Sequence, residues 1–268
     1  MRYSQSGDIM VRIILKSNDS LNYYPDNNAS NFAVKTAHLM SLGSDLEVAL
    51  TEIIFPFGYE NVRAGYNEVN IIPASDAGDE ITIDEITEMP TMSFKVNPNF
   101  YTPTSLIEQI NANMSKELME LRQREEVNNR RSISTLKRLR MKFGFDVAKI
   151  LGFNAYEWLT FGPEKKIGLN QAGPYRNISL LNVYCDAVEE SLVGQHQHQL
   201  LRIVNWPYTV QNGFTFNPSL IYDHPYFMRV KSTNRDTIGI TITDSFNIPI
   251  KFLGNEPVVV TLEFRKIQ

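Results

Sequence analysis

Short runs in which apolar and polar residues alternate, cut by clusters of Pro, Gly, Asn and Asp, recur along the whole chain. Alternation of period two marks a strand with one buried face. Its return between turn signals predicts an all-β protein, a sandwich or a barrel. In the first half the strands are MVRIILK, LEVALTEIIF (Leu46 to Phe55), EVNII, EITIDEI and MSFKV, with YYPDNNASN, PASDAGD and EMP as turns. Near the end, TIGITITD puts Ile238, Ile240 and Ile242 on one face and Gly239, Thr241 and Thr243 on the other. The run VVVTLEFRKI turns Val258, Val260, Leu262 and Phe264 inward and Thr261, Glu263 and Arg265 outward, which suits a strand lying beside another.

One segment departs from this rhythm. In YTPTSLIEQINANMSKELMELRQ the residues Leu106, Ile107, Ile110, Met114, Leu118 and Leu121 recur at helical spacing, with Thr102 as N-cap and Pro103 at the first helical position. The expectation is a helix that packs across one opening or face of the sandwich. No repeat of solenoid length and no low-complexity tract divides the chain. The reading is therefore one domain over residues 1–268, with a helical insertion at about 102–127 and a long loop at about 154–176.

Composition excludes more than it selects. With 268 residues, 43% hydrophobic and 21% charged, the chain is neither disordered nor fibrous in character and is long enough for a real core. No run of 18 apolar residues occurs, so no membrane span is expected, and the N-terminal stretch, broken by Arg12, does not read as an export signal. A single cysteine cannot form an internal disulfide and suits a reducing compartment.

That cysteine decides whether a nucleophile is available. Alternation puts Cys185 on one face with Leu181, Val183 and Ala187, opposite Tyr184, Asp186 and Val188, so it reads as a small core hydrophobe and not a reactive thiol. His196 and His198 in GQHQHQ point the same way on an extended chain, yet two ligands do not make a zinc site and no nearby cysteine pair or carboxylate cluster supplies the rest. DEITIDEITE reads as a strand with an acidic outer face. No P-loop, dinucleotide fingerprint, nucleophile elbow or metalloprotease motif is present. The expectation is a protein that is not an enzyme, with no catalytic, cofactor-binding or metal-ligating residues and no cofactor.

The formal net charge of −4 conceals a split along the chain. Residues 1–115 carry 15 acids against 6 bases, 116–142 carry 4 against 9, and the remainder carries 11 of each. The basic stretch holds Arg130, Arg131, Lys137, Arg138, Arg140 and Lys142 with no acid among them, and Leu139, Met141, Phe143 and Phe145 alternate with the last three. This reads as a strand with an apolar inner and a basic outer face. It is either a solvated edge strand whose charges discourage edge-to-edge pairing or a contact for an acidic partner or nucleic acid, with steep salt dependence as the mark of DNA.

Taken in order, SNDSLNYYPDNNASNFAVKTAHLMSLGSDLEVALTEIIFP, FYTPTSLIEQIN, ILGF, LLNVYCDAVEESLVG, LLRIV and TLEFRK resemble the minor capsid, or penton, proteins of Maverick/Polinton elements, adintoviruses and virophages. These stretches span nearly the whole chain; residues 156–175 match nothing in the pattern. The resemblance implies a single jelly-roll β-sandwich that forms homopentamers at the vertices of an icosahedral capsid, beside a double-jelly-roll major capsid protein. It implies a virion location, with synthesis in the host cytoplasm, nuclear assembly as one option, and packaged double-stranded DNA as a neighbour. Arg130, Arg131, Arg138, Arg140 and Lys142 are then candidates for interface or DNA contact, and Tyr156 and Trp158 for aromatic anchors, although Trp158 equally suits a cover for its own core. The rival readings are a carbohydrate- or receptor-binding sandwich and a hydrolase or metal enzyme around His196 and His198.

Overall fold

A computed structural model describes residues 11–56, 58–73, 92–127, 139–161, 168–170, 172–173, 178–205 and 219–267. Its strands, in chain order, are β1 (Val11–Lys16), β2 (Asn31–Leu42), β3 (Leu46–Ile54), β4 (Glu68–Pro73), β5 (Met92–Lys95), β6 (Leu139–Phe143), β7 (Trp158–Phe161) and β8 (Leu180–Cys185). They continue with β9 (Ser191–Val193), β10 (His196–His198), β11 (Leu200–Asn205), β12 (Ser219–Ile221), β13 (Met228–Arg229), β14 (Thr233–Asp244) and β15 (Val259–Lys266). The helices are α1 (Pro103–Val127) and α2 (Phe145–Leu151). Two compact units result, one from Met1–Tyr59 with Ile178–Gln268, the other from Glu60–Asn177.

In the first unit two antiparallel sheets run β1-β15-β3-β12, with β13 also on β3, and β11-β8-β14-β2. The chain visits them alternately: β1 first sheet, β2 second, β3 first, β8 and β11 second, β12 first, β14 second, β15 first. This is jelly-roll winding, which disposes of most strand edges by laying sheet on sheet. The inner faces are those the alternation foretells. Leu15, Val48, Leu50, Ile53, Val260 and Leu262 from one sheet and Leu181, Val183, Cys185, Ile238, Ile240 and Ile242 from the other are all buried.

β3 keeps this face despite a break in its pattern. Leu50 pairs with Leu262 and Glu52 with Thr261, so Thr51 is an extra residue, a bulge whose hydroxyl donates to the Thr261 carbonyl at 3.2 Å. The bulge moves the inward set from Val48 and Leu50 to Ile53 and Phe55. The turn in YYPDNNASN is held by side chains. Asn27 accepts from the Ala33 N–H at 2.9 Å and donates to the Ala33 carbonyl at 2.8 Å, pairing as a strand residue would, and Asn28 Oδ1 accepts from the N–H groups of Ser30 and Asn31.

The second unit interrupts the sandwich in sequence between β3 and β8, so the inserted unit, Glu60–Asn177, is wider than the helix marked at about 102–127. Its sheet runs β5-β4-β6-β7. α1 begins as expected: Thr102 Oγ1 accepts from the Ser105 N–H at 3.2 Å, Ser105 Oγ accepts from the Thr102 N–H at 3.0 Å, and Pro103 follows the cap. Within its own unit this helix buries its apolar face. Leu106 and Ile110 join Val69, Ile71, Met141, Phe143, Val147 and Ile150 in a core separate from that of the jelly roll. The expected loop at about 154–176 also contains a strand, β7, paired antiparallel with β6.

Gly144 ends β6. A Cβ there would stand 2.7 Å from the Tyr66 carbonyl oxygen and 3.0 Å from the Glu68 nitrogen, so a side chain would collide with backbone. Phe145, which the alternation assigned to the basic strand, accordingly opens α2.

Candidate interaction surfaces

Among the described residues no three His, Cys, Asp or Glu side chains come together as a metal site. No helix among them is long and apolar enough to cross a membrane. Cys185 is fully buried on the inner face of β8, and its loss of solvent pushes the thiol pKa up to about 12 against an ordinary 9. In the folded chain the thiol stays neutral, while in the unfolded chain it ionises near its ordinary value. The stabilising preference for the neutral form is therefore complete below about pH 9 and is lost as pH rises to about 12. A thiol reagent at pH 8 is expected to label native protein slowly and denatured protein at once; equally fast labelling of both would contradict the burial.

His196 and His198 lie on the hairpin strand β10, their rings 6.1 Å apart, and His198 sits 5.6 Å from the Tyr184 ring. They do share a side, as an extended chain requires. Arg130, Arg131, Lys137 and Arg138 and the acidic EITIDEI segment fall outside the described residues.

Arg140 and Lys142 are on β6, with Met141 and Phe143 turned to the core as the alternation requires. β6 is not an edge strand, however: it is paired with β4 on one side and β7 on the other, so edge protection does not explain its charge. Cross-strand pairing puts Lys142 opposite Trp158, with the ammonium 5.0 Å over the indole ring. Trp158 thus lies on the basic face of the sheet, opposite the face through which Leu159 and Phe161 pack on the core. Tyr156, just before it, is 56% exposed and takes a positive φ of 62°. Lys142 and Trp158 form a basic-aromatic pair on this face, with Tyr156 exposed two residues before Trp158; whether Arg130, Arg131 and Arg138 join it falls outside the described residues.

A buried ion pair gave no local signal in the sequence. Asp146, fully buried at the start of α2, accepts from Arg63 Nε at 2.9 Å, from Arg63 Nη2 at 2.9 Å and from the Arg63 backbone N–H at 2.9 Å. The Arg63 guanidinium also stacks 4.9 Å from the Tyr66 ring centroid. A bidentate fork of this kind fixes geometry as well as charge, here clamping the segment before β4 onto α2.

The outer faces of the two sandwich sheets differ in kind. On the first sheet, cross-strand register sets Arg12 opposite Glu263 and Arg265 opposite Glu47, which in turn faces Arg229. Arg265 Nε donates to Glu47 Oε1 at 2.6 Å. On the second sheet the corresponding positions are Ile203, Leu180, Asn182, Tyr184, Gly239, Thr241, Asn31, Ala33, Thr237 and Lys35, with Lys35 the one charge among them. Leu180 and Ile203 are 37% and 52% exposed there. Depletion of charge with aromatic and aliphatic side chains left in water is the composition of a contact surface.

No family model matches the chain, and no curated protein matches it. Its fold, by contrast, has a solved counterpart. The crystal structure of the mavirus penton protein superposes with a TM-score of 0.51, covering 97% of this chain and 100% of that one, at 10% sequence identity. The two chains share a fold. A chain of the Sputnik virophage structure, determined by cryo-electron microscopy, covers 96% of this chain and 98% of its own at 9% identity, with a TM-score of 0.47. The mavirus match spans both units in sequence, and the jelly roll that it shares is the one implied by the sequence motifs.

Proposed function

We propose that this chain is a structural subunit of a viral capsid, a penton-type protein whose five copies close around an icosahedral vertex beside a double-jelly-roll major capsid protein. The observation that carries the reading is the jelly-roll winding shared with the mavirus penton protein over nearly the full length of both chains. The sequence motifs, which resemble those of Maverick/Polinton, adintovirus and virophage pentons, support it independently of the coordinates. The role is assembly and not catalysis. A closed five-fold ring needs two different surfaces per subunit, one to present and one to receive, and the sandwich offers two of unlike chemistry: the charge-laced outer face of β1-β15-β3 and the exposed apolar patch of Leu180 and Ile203 on β8 and β11. The basic-aromatic pair of Lys142 and Trp158, with the exposed Tyr156 close to it in sequence, is a further contact, available to the major capsid protein or to packaged DNA.

Native mass spectrometry of the purified chain tests the proposal. A pentamer, formed alone or on addition of the major capsid protein, is the expected species. A chain that stays monomeric under both conditions would overturn it.

A further inference from the structure

A groove of about 410 Å³ opens on the outer face of the second sandwich sheet, and its construction does not follow from packing alone. Its floor is made of small side chains. In the cross-strand rows, Gly239 of β14 pairs with Ala33 of β2, and Thr241 lies between Tyr184 of β8 and Asn31 of β2. Gly239 serves a second purpose, since Asp186 Oδ2 lies where a Cβ at that position would come within 3.2 Å, and the Gly239 N–H donates to Asp186 Oδ1 at 2.9 Å.

The walls are aromatic and fixed. Tyr184 forms one, its hydroxyl donating to Asn247 Oδ1 at 2.8 Å. The loop carrying Tyr23 and Tyr24 forms the other; Asn27 ties it to Ala33, and the Tyr24 hydroxyl bonds Thr237 Oγ1 at 2.8 Å. Tyr23 is 63% exposed and lines the groove, with the Lys35 ammonium 4.5 Å from its ring centroid. Around these stand hydrogen-bonding groups of both senses: the Asn31 and Gln199 amides, the Thr241 hydroxyl, and the Asp26 and Asp186 carboxylates.

A flat floor between tyrosine faces, rimmed by amides and carboxylates, matches one ligand chemistry. A pyranose ring presents a patch of C–H groups that lies against an aromatic face, and an edge of vicinal hydroxyls that both donate and accept. We propose that this groove binds a neutral pyranoside, the terminal sugar of a surface glycan. The cations beside it are each paired, Arg235 with Asp186 at 2.7 Å and Lys35 with Asp236 at 3.6 Å, so a sialylated or uronic sugar meets no cation left over for its own carboxylate. The walls are already held by side-chain hydrogen bonds in the free chain, so little ordering is left for the ligand to drive. The inference does not rest on the capsid reading: sugar binding is read on the isolated chain, ring closure by mass.

Saturation-transfer NMR on the full chain is the test, with the methyl glycosides of glucose, galactose, mannose and N-acetylneuraminic acid at millimolar concentration as probes. Transfer to the ring C–H protons of at least one neutral glycoside is expected, and none to the sialoside. Tyr23→Ala, which removes a largely exposed ring and its contact with the Lys35 ammonium, is expected to weaken binding by up to roughly tenfold. Ala33→Trp fills the floor and is expected to abolish the transfer. The proposal is overturned by silence from all neutral probes, by equal transfer to the sialoside, or by transfer that survives in the Tyr23→Ala chain unchanged.

Discussion

Asp146→Ala is expected to destabilise the second unit by about 3–5 kcal/mol, the cost of leaving one half of a buried ion pair behind. Asp146 is fully buried and Arg63 is 8% exposed, so little water is available to replace the lost carboxylate. Three donors lose their acceptor together: Nε, Nη2 and the backbone N–H of Arg63. Against a typical domain stability of about 5–15 kcal/mol, that loss unfolds much of the population under mild denaturant. Hydrogen exchange across Phe145–Leu151, with a urea melt, is the measurement. The combined change Arg63→Met with Asp146→Asn removes the stranded charge and keeps an amide oxygen for the residue-63 N–H, and should recover more than half of the loss. A single-site cost below about 1 kcal/mol, in the range of exposed pairs, would show that the clamp is not shielded from solvent.

Leu50→Ala should cost the jelly roll about 2–5 kcal/mol, the range for truncating a buried leucine where the surroundings collapse only in part. Leu50 has no exposed surface, lies opposite Leu262, and immediately precedes the bulge at Thr51, so its neighbours are held in place by a register they cannot shift without turning Ile53 outward. Cys185, on the inner face of the opposing sheet, supplies a local reporter: its reaction with a thiol reagent should accelerate in step with the drop in the denaturation midpoint. Ile221→Ala, a truncation on β12 at a side chain 68% exposed, is the matched control and should move stability by no more than about 0.5 kcal/mol. Equal effects of the two substitutions would mean that the sandwich interior is not where the alternation puts it.

The elements legible in the sequence share one property: their signal is local. Ile238–Ile242 of β14 and Val260–Phe264 of β15 each carry apolar side chains at every second position, which fixes both strand state and facing. Cys185 could be assigned to the core from Leu181 and Val183 alone. The Thr102-Pro103 start of α1 was legible because a cap is a matter of a few consecutive residues. β3 was less clear, since its bulge mixes two phases of alternation into one apparently continuous apolar run, and only the pairing with β15 separates them. β6 showed its two faces but not its neighbours. The charge that suggested an edge strand sits on a strand paired on both sides, because partner strands are chosen by chain segments far away.

The candidate surfaces were legible to different degrees for the same reason. Lys142, Tyr156 and Trp158 stood out by composition, and β6–β7 pairing brings Lys142 onto Trp158. The Arg63–Asp146 clamp joins residues 83 positions apart in ordinary-looking surroundings. The tyrosine groove draws its floor from β2 and β14 and its walls from β8 and the loop before β2, so no window of sequence contains it.

By itself the sequence determined the all-β class, the inward face of the long strands, the inert character of the lone thiol and the start of the inserted helix, all consequences of side-chain periodicity within a few residues. Tertiary structure alone decided the order of strands in each sheet, the division into two units with separate cores, the buried ion pair and the groove. Each of these depends on which distant segments meet, and that is set by the joint burial of apolar faces and by backbone pairing over the whole chain, terms that no single segment carries.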